Sequence, residues 1–263
     1  MTANLLSEYR KFFSTRMWWL LLIIMVLYMG LTAAALAFTF SPAVASEMGM
    51  PEGSGSAVAT VYTTAASFGY VFPALIGVLS ITGEFRHKTI TNTLLGTPQR
   101  GKMLTAKMLA GIPMGLMYGV AGTLACVGLG AIVLSNLGAD PLLGEPSTWA
   151  IIGRSILAIT LWLLVGVGIG ALIPNQVAAI VTLLVFTQFI EPIARMALPM
   201  ASWGENIAKF LPGSVGDSIA GGSFYSMMGT DLLPLWAGIT LLCAYAIVFA
   251  VIGRFTTLSR DIS

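Results

Sequence analysis

Charge is what this sequence has least of. Asp, Glu, Lys and Arg make up 9% of its 263 residues, against about a quarter in ordinary soluble domains. Hydrophobic residues make up 57%. So little charge cannot cover a water-facing surface, and the chain reads as a membrane protein. Histidine occurs once, as His87, so no pair of histidines can hold a zinc ion. The two cysteines, Cys126 and Cys243, lie far apart inside apolar runs. That excludes a disulfide framework or a cysteine-rich metal site and leaves two small buried apolar residues. No phosphate-binding P-loop occurs, and a formal charge of +2 gives no reason to expect nucleic acid. The chain shows no cofactor site, no catalytic constellation and no energy source of its own.

What is present is apolar length. Six runs, 17–40, 58–81, 108–134, 149–173, 177–200 and 234–253, are long enough to cross a bilayer, for which about 20 residues suffice. The first is uncharged throughout. Ala43-Val44-Ala45 resembles a signal-peptide cleavage site, but the preceding run exceeds the roughly 7–15 residues of such a peptide's apolar region; it is read as a retained helix. The expected fold is an all-α integral membrane protein, one transmembrane domain over residues 1–263 with six spanning helices. Pro73 predicts a kink in the second.

The cations choose a side. Arg10, Lys11, Arg16, Arg86, Lys88, Arg100, Lys102, Lys107, Arg254 and Arg260 fall in segments on one side of this topology, and only Lys209 falls on the other. Cytoplasmic loops carry the excess of Lys and Arg, which puts both termini in the cytoplasm of a cell with the chain in its plasma membrane. The polar segments 41–57 and 135–148, with Glu47, Glu52, Asp140 and Glu145 and no basic residue, belong outside. Residues 201–233 are too long for a turn and too polar to span. Short helices dipping into the outer leaflet are expected there, since irregular backbone at that depth must be shielded by protein or water.

Three local patterns stand out. In residues 3–16, Leu5, Leu6, Tyr9, Phe12 and Phe13 share one helical side, while Glu8, Arg10, Lys11 and Arg16 fill the other. This suits a helix lying in the headgroup region, followed by Trp18 and Trp19 at interfacial depth. Gly111, Gly115 and Gly119 form a stripe at four-residue spacing that lets helix backbones approach, and Gly166, Gly168 and Gly170 are read the same way. Glu191 and Arg195 are four apart inside the fifth run, so they can meet on one helix face. Ionisable groups at membrane depth are costly and often functional; a mutually neutralised structural pair is the other reading.

The densest charge lies in the loop 82–107, between the second and third runs. Gly83 marks a helix start with Glu84 in its first turn, and Gly96-Thr97-Pro98 stops that helix. The expectation is a short helix held crosswise at the membrane surface, polar face outward. The motif Gly83-Glu84-Phe85-Arg86-x-Lys88-Thr89-Ile90-x-x-x-Leu94-Leu95-x-x-Pro98-x-Arg100-x-x-x-Leu104-x-x-Lys107 resembles the loop between the second and third helices of ABC-2-type exporter permeases. Lys88 stands where that family has Gly. The amphipathic start, the six spans and the polar segment before the sixth fit the same family. The resemblance implies the transmembrane subunit of an ABC exporter. Glu84, Phe85, Arg86, His87, Lys88 and Thr89 would form a coupling helix docked on a separate ABC ATPase, present in two copies. ATP and Mg would belong to that partner, so this chain is not itself an enzyme. A second six-helix permease subunit, identical or homologous, would face it across the substrate path. The substrate is unidentified; plentiful Met and Phe suit hydrophobic or amphipathic cargo.

Three other readings compete. An ion-gradient-driven secondary transporter would use Glu191 and Arg195 in its ion path, and its transport would survive ATP depletion. A non-transporting sensor or scaffold subunit would associate stably without stimulating ATP turnover. Glu191-Pro192-Ile193-Ala194-Arg195 also resembles part of the Glu-Glu-x-x-x-Arg motif of intramembrane prenyl-protein proteases. Ile190 stands at the first Glu, and no membrane-embedded His is available, so this hydrolase reading is the weakest.

Overall fold

The computed structural model describes residues 2–48, 55–91, 93, 99–201, 203–227 and 231–257, and these residues form helices and connections without a strand. Six helical segments are long and apolar enough to span a membrane: Met17–Thr39, Gly55–Arg86, Arg100–Asn136, Pro146–Leu172, Gln176–Met200 and Leu235–Thr256. They are called spans one to six below. A further helix, Thr2–Ser14, precedes span one.

Spans two and four are the centre of the bundle: 72% and 67% of their most apolar windows are buried, against 28%, 22% and 22% for spans one, five and six. Glycine makes this centre. A Cβ at Gly166 of span four would overlap the Ala74 carbonyl of span two, and one at Gly77 would overlap the Leu163 carbonyl coming the other way. Gly168, on the opposite side of span four, lies against Ala246 of span six. The stripe in span three meets span four as well: a Cβ at Gly115 would come 2.9 Å from Thr160 Cα and one at Gly119 2.8 Å from the Ile156 carbonyl. Gly166→Ala is therefore expected to cost about 1–3 kcal/mol by overpacking, read as a lower melting temperature of the detergent-solubilised protein. Gly153→Ala in the same helix meets nothing within 4 Å and should leave that temperature unchanged or raise it.

Three expected boundaries shift. Span two is broken at residues 68–70, where one helix ends at Ser67 and the next begins at Val71. The break thus precedes Pro73. Pro73 occupies the first turn of the new helix, where an N–H has no intrahelical partner in any case. Gly83 starts no helix. The second half of span two runs through it to Arg86, and Glu84 belongs to that span's last turn. Nothing opposes the continuation there, because Gly83 is flanked by helix-compatible residues and its missing side chain leaves open space. The chain turns at His87 and Lys88, where Lys88 adopts φ 55°, and helical turns resume at Ile90. The expected stop at Gly96-Thr97-Pro98 lies outside the described residues. Span three begins at Arg100, earlier than its apolar run, so Arg100, Lys102 and Lys107 ride on its first turns.

Span five changes its winding midway. Gln176–Val185 is α-helical and capped by the Asn175 side chain, which accepts the Ala178 N–H at 3.1 Å. Phe186–Ile190 is a π turn, Glu191–Ala197 is α-helical again, and Leu198–Met200 closes in a 3₁₀ turn. Among the described residues, three short helices stand between spans five and six, Gly204–Ala208, Pro212–Ala220 and Phe224–Met227. Every residue of Pro212–Ala220 after the proline is buried. That helix ends at Gly221, whose φ of 89° suits glycine.

Candidate functional site

Two buried clusters of charge hold the helices together, one at each end of the bundle. At the end that carries the N-terminal helix, Lys107 of span three is only 3% exposed. Its Nζ donates to Glu84 Oε1 at 2.7 Å, to Glu8 Oε2 at 2.7 Å and to the Ser80 carbonyl at 2.9 Å. Lys11 of the N-terminal helix donates to the same Glu84 oxygen at 2.7 Å, to Glu8 Oε1 at 3.0 Å and to Thr93 Oγ1 at 3.2 Å. Two lysines and two carboxylates thus neutralise one another and tie three elements into one unit. Burial pulls the Lys11 ammonium down, but the bond to Glu84 and the charges of Glu8 and Glu84 outweigh it, holding Lys11 above its ordinary value.

This arrangement departs from the sequence reading in two ways. Glu8 and Lys11 do not lie on a solvent side of the N-terminal helix; they turn toward the bundle with Leu5, Tyr9 and Phe12, because their charges are matched by Glu84 and Lys107. Glu84 does not face outward either. It is 6% exposed, and Lys107 and the partly exposed Lys11 occupy its Oε1.

The rest of the expected contact stretch divides cleanly. Phe85 packs against Ile90 and Met103 in a small satellite core. Arg86, His87, Lys88 and Thr89 are exposed. Arg86 donates to Gln176 Oε1 at 3.3 Å, reaching the start of span five. The turn is built by the backbone: the His87 N–H bonds the Gly83 carbonyl at 2.9 Å and the Thr89 N–H bonds the Glu84 carbonyl at 2.9 Å. A compact, outward-facing basic turn therefore stands directly on the buried ion cluster.

At the opposite end, Glu191 and Arg195 do come close, but each is bound to the Pro212–Ala220 helix. The Arg195 guanidinium makes its salt bridge to Asp217 and lies over the Tyr225 ring at 3.9 Å. Asp217 is 0% exposed and also accepts the Ser67 hydroxyl of span two at 2.7 Å. The Glu191 carboxylate accepts the backbone N–H groups of Gly213 and Ser214. These are the free donors at the start of Pro212–Ala220, where a negative charge is favoured. A side chain at Gly213 would collide with the carboxylate. Below this, Tyr70 stacks on Trp162 with ring centres 4.2 Å apart, at the break in span two. The sequence left Glu191 and Arg195 open between a functional site and a mutually neutralised pair; the buried helix engages both, in a three-way tie with spans two and five. The sequence reading placed Asp217 in an outside loop and missed it as a partner.

The Glu191 cluster sits just after the π turn, a local widening and underwinding of the helix that often marks functional positions. Several polar atoms there are buried without a hydrogen-bond partner: Glu191 Oε2, Arg195 Nε, Ser214 Oγ and Trp162 Nε1. The arrangement can hold polar groups at membrane depth, and it fixes the buried helix against the breaks in spans two and five.

No family model matches the chain, and no curated protein matches it.

Proposed function

We propose that this chain is the membrane-spanning subunit of an ATP-driven exporter of the ABC-2 permease type. The observation that carries the reading is the exposed turn Arg86–Thr89 mounted on the buried Glu8–Lys11–Glu84–Lys107 cluster. An ATP-hydrolysing partner in the cytoplasm would press on that turn. The cluster then passes the displacement to the N-terminal helix, span two and span three together. Arg86, His87, Lys88 and Thr89 make the partner contact, and Glu84 anchors it from behind. Both termini and this turn lie on the cytoplasmic side of the cell membrane, the N-terminal helix lies in the headgroup region, and Pro212–Ala220 dips into the outer leaflet.

Two copies of the ATPase, carrying ATP and Mg, would close beneath two six-helix subunits. Span five offers a free apolar face with Phe189, Ile193 and Met196 exposed for the second subunit and the path between them. Closure must bind one arrangement of the bundle better than the other for substrate to move. An unidentified hydrophobic or amphipathic molecule would be the cargo.

The test follows from the split of the stretch. Reversing charge at the outward residues, Arg86→Glu with Lys88→Glu, should abolish recovery of the ATPase with the tagged chain while its melting temperature stays within about 2 °C, as expected of surface substitutions. Glu84 is unsuitable for that purpose, since its reversal would disrupt the buried cluster. Full ATPase recovery with the doubly reversed turn counts against the docking role.

A further inference from the structure

A cavity of about 380 Å³ lies between the N-terminal helix and spans two, three and four. Volumes of this order are those of ligand sites. Its inner wall is apolar and mostly buried, formed by Ile76, Leu79, Ala110, Met114 and Val167. The exposed residues of its lining fall in two groups. Ser14, Thr15 and Met17 stand where the N-terminal helix bends into span one, and His87 and Thr89 belong to the basic turn. The cavity opens between these groups, so its apolar wall is reachable from outside the bundle.

Charge and hydrogen bonding select the ligand. Glu8, Lys11, Glu84 and Lys107 also line the cavity, and their charges sum to zero. An ammonium has three N–H donors. Lys107 spends its three on Glu8, Glu84 and Ser80, and Lys11 spends its three on Glu8, Glu84 and Thr93. The same bonds occupy both Glu8 oxygens and Glu84 Oε1, and Glu84 Oε2 is buried away from the cavity. The cluster therefore has nothing to offer an incoming ion, and an unpaired ion is costly against an apolar wall. The mouth supplies the polar preference. A carbonyl oxygen only accepts. The Ser14 hydroxyl, bonded to the Lys11 carbonyl at 2.9 Å, and the Thr15 hydroxyl, bonded to the Phe12 carbonyl at 3.0 Å, have thus each committed their one hydrogen. Both keep lone pairs, so they can only accept from a ligand.

We infer that this cavity binds an uncharged apolar molecule that ends in a hydroxyl group. Its body lies along Leu79 and Met114, and its hydroxyl donates to Ser14 or Thr15 at the mouth. Related skeletons fail for separate reasons. A carboxylate meets the Ser14 and Thr15 lone pairs with no hydrogen of its own. An ammonium has hydrogens, but the exposed Arg16, Arg86 and Lys88 adjoin the mouth residues in sequence and repel it. A methyl ether is uncharged and has nothing to donate. The occupant touches the bend into span one and the turn that carries Thr89 at once. A long-chain alcohol free in solution and a diacylglycerol from the bilayer share this chemistry. The inference stands on the cavity and its hydrogen bonds and is independent of the exporter reading.

The test is photolabelling of the purified full chain in detergent. The probes share one diazirine-bearing decyl chain and end in a hydroxyl, a methyl ether, a carboxylate or an ammonium; labelled positions are mapped by peptide mass spectrometry. One net hydrogen bond corresponds to about fivefold in binding, so the alcohol should label the peptides that hold Leu79 and Met114 about fivefold more than the ether, and more than either ion. Ser14→Ala with Thr15→Val should bring the alcohol down to the ether. Leu79→Trp, which fills the apolar wall without touching the charges, should remove the labelling; Leu79→Phe serves where the larger ring prevents folding. Competition by excess didecanoylglycerol points to the bilayer as the source, and competition by decanol alone to a free molecule. Labelling by an ion or the ether equal to that by the alcohol, no labelling of the wall by any probe, competition by neither compound, or labelling that persists in the filled-wall variants would each overturn the inference.

Discussion

Lys107→Met is expected to destabilise the bundle by about 3–5 kcal/mol, the scale for removing one member of a buried ion pair. The loss comes less from the missing bonds than from what remains. Glu8 and Glu84 would face each other, with Lys11 alone to neutralise both, and the Ser80 carbonyl would lose its donor. Lys11 makes as many bonds as Lys107, yet its side chain is 40% exposed while that of Lys107 is 1% exposed. Water can replace the Lys11 contacts, so Lys11→Met should cost under about 1 kcal/mol. The pair of variants separates burial from bond count. Thermal unfolding in detergent should place Lys107→Met far below the parent and Lys11→Met close to it. Adding Glu84→Gln to Lys107→Met removes the excess carboxylate, and the double variant should lie above the single one, a coupling expected only of groups in direct contact. If Lys11→Met and Lys107→Met fall equally, the cluster is not organised around its buried cation.

Arg195→Met should have a comparable effect at the other end. It strands Asp217, 0% exposed, with only the Ser67 hydroxyl as a partner, and an unpaired buried carboxylate costs about 3–5 kcal/mol. The more telling consequence is local. Pro212–Ala220 is held by Arg195 through Asp217 and by Glu191 through its first N–H groups. Loss of the stronger tie should loosen that helix before the spans part. Hydrogen exchange should show rapid exchange at residues 213–220 in Arg195→Met, while spans two and four stay protected. Asp217→Asn combined with Arg195→Met should restore much of the protection, because a neutral amide is cheaper to bury than an unpaired charge. Glu191→Gln keeps an acceptor for Gly213 and Ser214 and should loosen the helix only slightly. Uniform loss of protection across all spans in Arg195→Met would show that the tie supports the whole bundle rather than this helix.

The six spans were legible because apolar runs free of charge have one stable solution in a bilayer, a helix with its backbone bonds satisfied internally. The glycine contacts were legible too: small residues at four-residue spacing have a steric meaning that does not depend on their partner. Tertiary pairing was not. Nothing in the sequence near Glu8 names Glu84 or Lys107 as its neighbours, and an amphipathic helix places charge outward by default. The signal available was weak, a Glu8–Lys11 pair at i,i+3 facing a loop whose own Glu84 and Lys107 border apolar runs. Asp217 left a clearer trace. It lies between Val215 and Ile219, after Leu211-Pro212-Gly213, and an isolated carboxylate in a short apolar helix needs a cation. Arg195 was the cation, but its four-residue spacing from Glu191 drew attention to the nearer partner. The helix start assigned to Gly83 failed for a related reason. Glycine marks a boundary only when the backbone turns there, and here the turn came at His87 and Lys88.

The central claim is that this bundle is driven from outside itself. It is tested most directly by purifying the tagged chain from its native membrane in mild detergent, identifying the proteins that accompany it, and weighing the particle. The account predicts a P-loop ATPase in two copies beside two six-helix subunits, with recovery lost when Arg86 and Lys88 are reversed. The chain recovered alone, reproducibly and in several detergents, with transport that persists after ATP depletion, would contradict it and turn attention to a gradient acting through Glu191 and Arg195.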